Sequence, residues 1–103
     1  MNKSELIEEL STYTNLNLKD AEIIVDLFFN SIIDGLKQDE RAELRGFGSF
    51  SVKHYPAYIG RNPKSGKAIE VKPKRMPVFK PGKDLKIIVN PDLKESELDF
   101  NDE

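Results

Sequence analysis

The feature that most constrains this chain is an apolar segment close to its N-terminus. Its periodicity predicts a helix that begins after Asn17 and ends at about Gln38. A chain of 103 residues has few other elements to cover a helix that is apolar over most of its circumference. We therefore expect a second subunit to cover it. The apolar residues are Ala21, Val25, Phe28, Ile32 and Leu36 on one stripe, widened by Ile24, Leu27, Phe29 and Ile33.

The remaining apolar pattern predicts a small mixed fold. A short amphipathic helix with Asn2 as its N-cap comes first. Alternating residues predict strands over 41–45 and 49–55, joined by a glycine turn, and a third strand over 76–79. A last helix is predicted over 83–90. The sequence therefore indicates an α+β domain over residues 1–90, with two N-terminal helices, a three-stranded antiparallel sheet and a short C-terminal helix. Aromatic residues of the strands and turn are expected to pack its body: Phe47, Phe50 and Phe79.

Charge is unevenly distributed along the chain, although the net charge is only -2. Residues 41–90 carry twelve basic and three acidic residues, whereas residues 1–40 carry three basic and nine acidic ones. The basic middle predicts a polyanionic partner. Residues 91–103 are acidic with little apolar content, and we expect a disordered or loosely attached tail there. That tail either competes with the polyanion for the basic segment or is a passive solvated end.

Composition argues against several classes of function. There is no cysteine and a single histidine, His54, which we interpret as an ordinary strand residue. We therefore predict no catalysis, no metal, no cofactor and no small-molecule substrate. No apolar run approaches the roughly 20 residues that span a bilayer, so we expect an intracellular protein without a membrane partner.

Residues 56–75 differ from the sequence on either side. They combine many basic residues with three prolines and two glycines, and they have few large apolar side chains. This composition predicts a projecting β-hairpin arm, whose legs of about nine residues extend on the order of 30 Å. Near its tip Pro63 has a rigid ring and no N–H, so it can wedge between stacked bases while Arg61 and Asn62 contact the minor groove. The alternative is that Pro63 only stiffens a solvated loop.

Four motifs connect these features to a known family. They are MNKSELI at 1–7, RGFGSF at 45–50, GRNPKSGK at 60–67 and VFKPGKDLK at 78–86. With them, the chain resembles the HU and integration host factor family of bacterial nucleoid DNA-bending proteins over residues 1 to about 90. Within that family RGFGSFSV is most similar to the beta subunit of integration host factor. The resemblance implies an intertwined homodimer, or a heterodimer with a related subunit, whose two arms lie in the minor groove of double-stranded DNA.

The resemblance also implies which residues bind DNA. The arm tip supplies the wedge and its flanks: Arg61, Asn62, Pro63 and Lys64. The N-terminal ends of the first and last helices supply phosphate contacts: Lys3, Ser4, Lys83 and Lys86. Glu43 and Arg45 match residues that help some members choose sites, or else they form an ordinary cross-strand ion pair. The arm and its adjoining strands add further basic residues: Lys53, Lys67, Lys72, Lys74, Arg75 and Lys80.

The implied function is that of an architectural protein. It would bend and condense chromosomal DNA in the bacterial nucleoid, in the cytoplasm, and assist recombination, replication or transcription. Two other classes stay open: a protein-interaction module that uses the acidic ends and the arm, and an enzyme. Binding to a preferred site and binding to any bent or A·T-rich DNA are both compatible with the sequence.

Overall fold

The computed structural model describes residues 1–98, which form two compact units. The first unit, residues 1–38, contains α1 (Lys3–Thr14) and α2 (Leu18–Lys37). The second begins at Asp39 and contains five strands, α3 (Lys83–Val89) and a final 3-10 helix (Glu95–Leu98). Over these residues, no helix has the length and apolar content needed to cross a membrane. The predicted helices are confirmed.

Both N-terminal helices begin at the asparagines that the sequence indicates. Asn2 Oδ1 accepts a hydrogen bond from the backbone N–H of Glu5 at 2.9 Å, and Asn17 Oδ1 accepts one from that of Asp20 at 2.8 Å. Each bond satisfies a backbone donor that the first helical turn leaves unpaired. Asn15, with φ of 58°, ends α1 in the left-handed conformation that asparagine tolerates.

The first unit leaves most of the apolar surface of α2 uncovered. Only Ala21 and Val25 of this helix are buried. The Phe28 and Phe29 rings meet edge to face, with centroids 5.2 Å apart, yet Phe28 is 47% exposed. Exposed apolar area of this extent is typical of an interaction surface. The exposed apolar residues of α2 are Leu18, Ile23, Ile24, Leu27, Phe28, Phe29 and Ile33.

The second unit is built on the predicted three-stranded antiparallel sheet. Its strands are β1 (Ala42–Leu44), β2 (Gly48–Tyr55) and β5 (Lys74–Pro81), in the order β1-β2-β5. The last strand is longer than the predicted 76–79 and includes Pro77 and Pro81. Proline lacks the N–H that a central strand must donate, but β5 is at the edge of the sheet, where proline is tolerated.

A cluster of three aromatic rings packs on one side of this sheet. Phe50 pairs with Phe79 in register, and their ring centroids lie 4.8 Å apart. Phe47, in the turn before β2, lies 5.5 Å from Phe79. The prediction that these aromatics pack the body is confirmed, although Phe47 and Phe79 remain 47% and 40% exposed.

Substituting Gly48 with alanine is expected to destabilise the second unit. A Cβ atom at Gly48 would lie 2.5 Å from the backbone oxygen of Lys80 and 2.7 Å from Cζ of Phe79. We expect the free energy of unfolding to fall by about 1–3 kcal/mol, measured by thermal or chemical unfolding. Gly60→Ala is the control, because its Cβ would meet neighbouring atoms at an ordinary 3.5 Å. Equal unfolding midpoints for the two variants would contradict this packing.

The arm is a separate two-stranded sheet. It consists of β3 (Tyr58–Arg61) and β4 (Ala68–Val71), paired antiparallel from Tyr58↔Val71 to Arg61↔Ala68. The hairpin is confirmed, but four residues pair on each leg rather than about nine. Pro56 and Pro73 lie where pairing stops, and neither can donate an N–H to a ladder.

We expected a disordered or loosely attached tail after α3, and its first part, up to Leu98, is attached. Residues 91–98 include the 3-10 helix Glu95–Leu98, which contacts α3. Leu98 is only 4% exposed and anchors the segment, whereas Leu93 remains 45% exposed. The rest of the predicted tail, residues 99–103, lies outside the described residues.

Candidate nucleic-acid interface

The tip of the arm is closed by hydrogen bonds within the loop between β3 and β4. The backbone N–H of Asn62 donates to the oxygen of Lys67 at 3.0 Å, and that of Gly66 donates to the oxygen of Asn62 at 2.7 Å. Gly66 has φ of 71°, a conformation that its lack of a Cβ permits. Exposed Pro63 therefore lies in a loop whose backbone is fixed, as a rigid wedge requires.

Two predicted groove-contacting side chains take part in closing this loop. Asn62 Oδ1 accepts from the backbone N–H of Lys64 at 2.8 Å, which leaves its amide hydrogens for other partners. The Arg61 guanidinium donates to the oxygen of Gly66 at 3.1 Å and keeps four further N–H groups. Both side chains are thus held beside Pro63 with donors remaining for base or sugar acceptors.

The sheet places several predicted basic residues on one face. Successive side chains of a strand alternate between faces, and paired residues share a face. The pairs Lys53↔Met76, Tyr55↔Lys74 and Ser49↔Lys80 therefore put three lysines on the same side. The ammonium groups of Lys53 and Lys74 lie 5.3 and 5.8 Å from the centre of the Tyr55 ring. At these distances the ring attracts both ammonium groups weakly, a contact that the sequence did not indicate.

The same face includes Glu43, which pairs with Ser49 across the β1–β2 ladder. Arg45 follows β1 in the turn and is exposed. Within residues 1–98 neither side chain takes part in a salt bridge, so the cross-strand ion pair considered as an alternative is not formed there. Both groups remain available to a ligand.

Arg75 lies on the opposite face of the sheet, where it pairs with His54 in register. Asp39 Oδ1 lies 3.2 Å from the Arg75 guanidinium and 3.1 Å from His54 Nε2. Arg75 is thus held by a carboxylate at the base of the arm, apart from the lysines of the other face. The sequence does not predict Asp39 as part of the site, because it is 36 residues from Arg75 along the chain.

In the first unit, both predicted phosphate contacts already have protein partners. Lys3 Nζ lies 2.5 Å from Asp26 Oδ1, and this hydrogen bond raises the pKa of Lys3 above its ordinary value. The Ser4 hydroxyl donates to Asn2 Oδ1 at 2.9 Å. A phosphate would therefore have to compete with Asp26 for Lys3.

At the start of α3, Lys83 forms an ion pair with Glu95 of the final 3-10 helix. The hydrogen bond that Lys83 donates to Glu95, together with the negative charge of that carboxylate, raises the pKa of Lys83 above its ordinary value. Lys86 is half-buried on the same helix. Nothing in the sequence indicates this pairing, because the composition of the segment that holds Glu95 predicts disorder.

The remaining predicted residues are exposed along the arm. Lys64 and Lys67 are in the tip loop, and Lys72 lies between β4 and β5. Glu70, on β4, is the acidic residue of this segment. The arm thus presents a row of exposed cations that leads from the sheet to Pro63.

Comparison with known proteins shows that the chain is similar to bacterial DNA-binding proteins in sequence and in fold. Residues 1–90 match the family model described as bacterial DNA-binding protein. The chain is 47% identical over 87 residues to integration host factor subunit beta of Burkholderia mallei and of Burkholderia thailandensis, an alignment that covers 84% of this chain and 81% of each relative.

Two solved structures share the fold. The Anabaena HU–DNA cocrystal structure aligns with a TM-score of 0.77 and 32% identity, covering 88% of this chain and 99% of that one. A mutant of HU from Thermotoga maritima aligns with a TM-score of 0.64 and 31% identity, covering 87% of this chain and all of the other.

Proposed function

Because the chain belongs to the bacterial DNA-binding protein family, we propose that it binds double-stranded DNA as a dimer and bends it. The observation that carries this proposal is the arm: a ribbon with exposed cations that ends in a hydrogen-bonded tip with Pro63 exposed. Cations along a ribbon neutralise phosphates and release counterions, and an apolar wedge at its end unstacks a base step. Residues 1–90 are the proposed DNA-binding domain.

The proposed DNA contacts have distinct roles. Pro63 wedges between base pairs while Arg61 and Asn62 contact the minor-groove edges beside it. Glu43 and Arg45 adjust which sites are preferred. The other proposed residues contact phosphates and set the register of the protein on DNA: Lys3, Ser4, Lys53, Lys64, Lys67, Lys72, Lys74, Arg75, Lys80, Lys83 and Lys86.

The proposed dimer is supported by the exposed apolar surface of α2. A stable single chain would not leave this many large apolar side chains exposed on one helix. A second copy, or a related subunit with the same surface, would bury them and form an intertwined body from which two arms extend. Bending a short DNA site costs on the order of 1–6 kcal/mol, and phosphate contacts to the flanks of such a body would offset that cost.

We propose further that the protein is architectural and not catalytic, and that it acts in the bacterial nucleoid. The family is one of DNA-binding proteins. In the part of the chain that the structure describes, no group of three or more His, Asp or Glu side chains is placed to hold a metal ion. A nuclease assay with added Mg²⁺ tests this part of the proposal, and cleavage that copurifies with the protein would overturn it.

Replacing Lys72 with alanine is expected to weaken DNA binding without changing sequence preference. The slope of log affinity against log salt concentration should become shallower by about one unit for each phosphate that the variant no longer neutralises. Fluorescence anisotropy over a salt series measures both quantities. Lys19→Ala, which removes one charge from the first turn of α2, is the control and should keep the original slope. A DNA affinity that does not depend on salt would contradict phosphate neutralisation by the arm, whereas failure to bind any duplex, nicked or cruciform DNA at low salt would favour a protein-interaction module.

A further inference from the structure

The segment after α3 is fixed against that helix. A turn closes where the backbone N–H of Leu93 donates to the oxygen of Asn90 at 3.1 Å, and the 3-10 helix Glu95–Leu98 follows and contacts α3. Leu98 is among the few buried apolar side chains in residues 1–98, together with Ala21 and Val25. Its burial holds the acidic segment in one place.

This placement brings a carboxylate to a proposed DNA-binding cation. Lys83 of α3 pairs with Glu95, and a shallow cleft between the two elements is lined by Lys83, Lys86, Glu95, Ser96 and Leu98. Both partners of the ion pair are about two-thirds exposed, so solvent screens it and a competing anion can reach it. A carboxylate and a phosphate oxygen offer the same kind of acceptor to an ammonium group.

The segment after α3 has the negative charge that competition with DNA requires. Residues 91–103 contain one basic and six acidic residues, and they follow the basic segment directly. Glu95 is the member of this set that reaches Lys83 in the described residues. The contact is therefore specific to one pair and not only an average attraction between opposite charges.

We propose that the C-terminal segment is an internal competitor of DNA, in which Glu95 occupies Lys83 and Leu98 anchors it there. This inference rests on the proposed function, because it requires Lys83 to contact a DNA phosphate when Glu95 does not occupy it. DNA that reaches α3 displaces Glu95, whereas DNA that contacts only the arm leaves the pair intact. The segment thereby lowers affinity for duplexes that bend onto the body and reach Lys83, and it leaves contacts made by the arm alone unaffected.

The test compares full-length variants on a labelled duplex of about 30 base pairs. Glu95→Gln should tighten DNA binding roughly twofold to fivefold for each Lys83 that contacts DNA. This factor is what the loss of one exposed ion pair corresponds to. Asp92→Asn removes the same charge from the same segment without touching the pair, and should have a smaller effect. Leu98→Ala, which changes no charge, should also tighten binding because it releases the segment. Circular dichroism monitors the fold of each variant.

A double-mutant cycle with Lys83→Ala separates this inference from the function on which it rests. In the Lys83→Ala protein, adding Glu95→Gln should leave DNA affinity unchanged. Equal effects of Glu95→Gln and Asp92→Asn, or an effect of Glu95→Gln that persists without Lys83, would overturn the competitor and leave DNA binding intact. Failure of the wild-type protein to bind any duplex at low salt would overturn the proposed function and the competitor together.

Discussion

Substituting Phe28 with glutamate is expected to prevent dimer formation and to lower DNA affinity by at least about a hundredfold. Phe28 is on the apolar stripe of α2, in edge-to-face contact with Phe29, and is half exposed in the single chain. Burying a phenylalanine contributes roughly 1.5–3 kcal/mol, and an unpaired carboxylate in its place costs several kcal/mol more. Because both subunits of a homodimer carry the change, the destabilisation is comparable with the whole stability of a small domain, about 5–15 kcal/mol.

The mass of the variant in solution and its anisotropy titration with DNA measure these two effects. Asn30→Asp is the matched control, since it adds the same charge to α2. Two residues correspond to about 200° around a helix, so Asn30 points away from Phe28. This control should remain a dimer with nearly wild-type affinity. A Phe28→Glu protein with the mass of a dimer would show that the α2 surface is not the subunit contact.

Replacing Pro63 with alanine should reduce DNA bending while most of the affinity remains. The cations of the arm would still meet phosphates, but the ring that separates the stacked bases would be absent. Wedges of this kind produce kinks of about 20–90°, so the bend should fall by an amount of that order. Energy transfer between dyes at the two ends of a saturated duplex measures the change.

Ser65→Ala is the control for the proline substitution. Ser65 belongs to the same tip loop, and its hydroxyl makes only a long 3.4 Å contact with the backbone N–H of Lys67. The bend produced by this control should equal that of the wild type. If the Pro63→Ala protein bends saturated DNA as strongly as the Ser65→Ala protein, Pro63 only stiffens the loop and the wedge is wrong.

Local sequence signals predicted the parts of the fold that depend on local chemistry. Asn2 and Asn17 mark helix starts because their side chains accept from N–H groups three residues ahead. The strand alternation around Phe50 predicted the sheet, and the Asn62–Gly66 loop predicted the hairpin tip. The extent of pairing was harder to predict, because the prolines of β5 are acceptable only once β5 is known to be an edge strand.

The parts that the sequence did not reveal depend on residues brought together by tertiary structure. Asp39 meets Arg75 and His54 across a long stretch of chain, and Glu95 meets Lys83 in a segment whose Leu98 is buried. The periodicity of the sequence does not predict these ion pairs. They matter for the candidate site because they divide its cations into those that are held by carboxylates and those that stay open to solvent. The sequence predicted DNA contacts for these cations but did not show which of them pair with carboxylates.

The most direct test of DNA bending by a dimer is the end-to-end distance of a duplex of about 30 base pairs, measured by energy transfer while wild-type protein is added to saturation. The duplex ends should approach each other, and the change should be complete at two chains per duplex. A duplex that binds the protein and stays straight, or that saturates at one chain, would contradict DNA bending by a dimer.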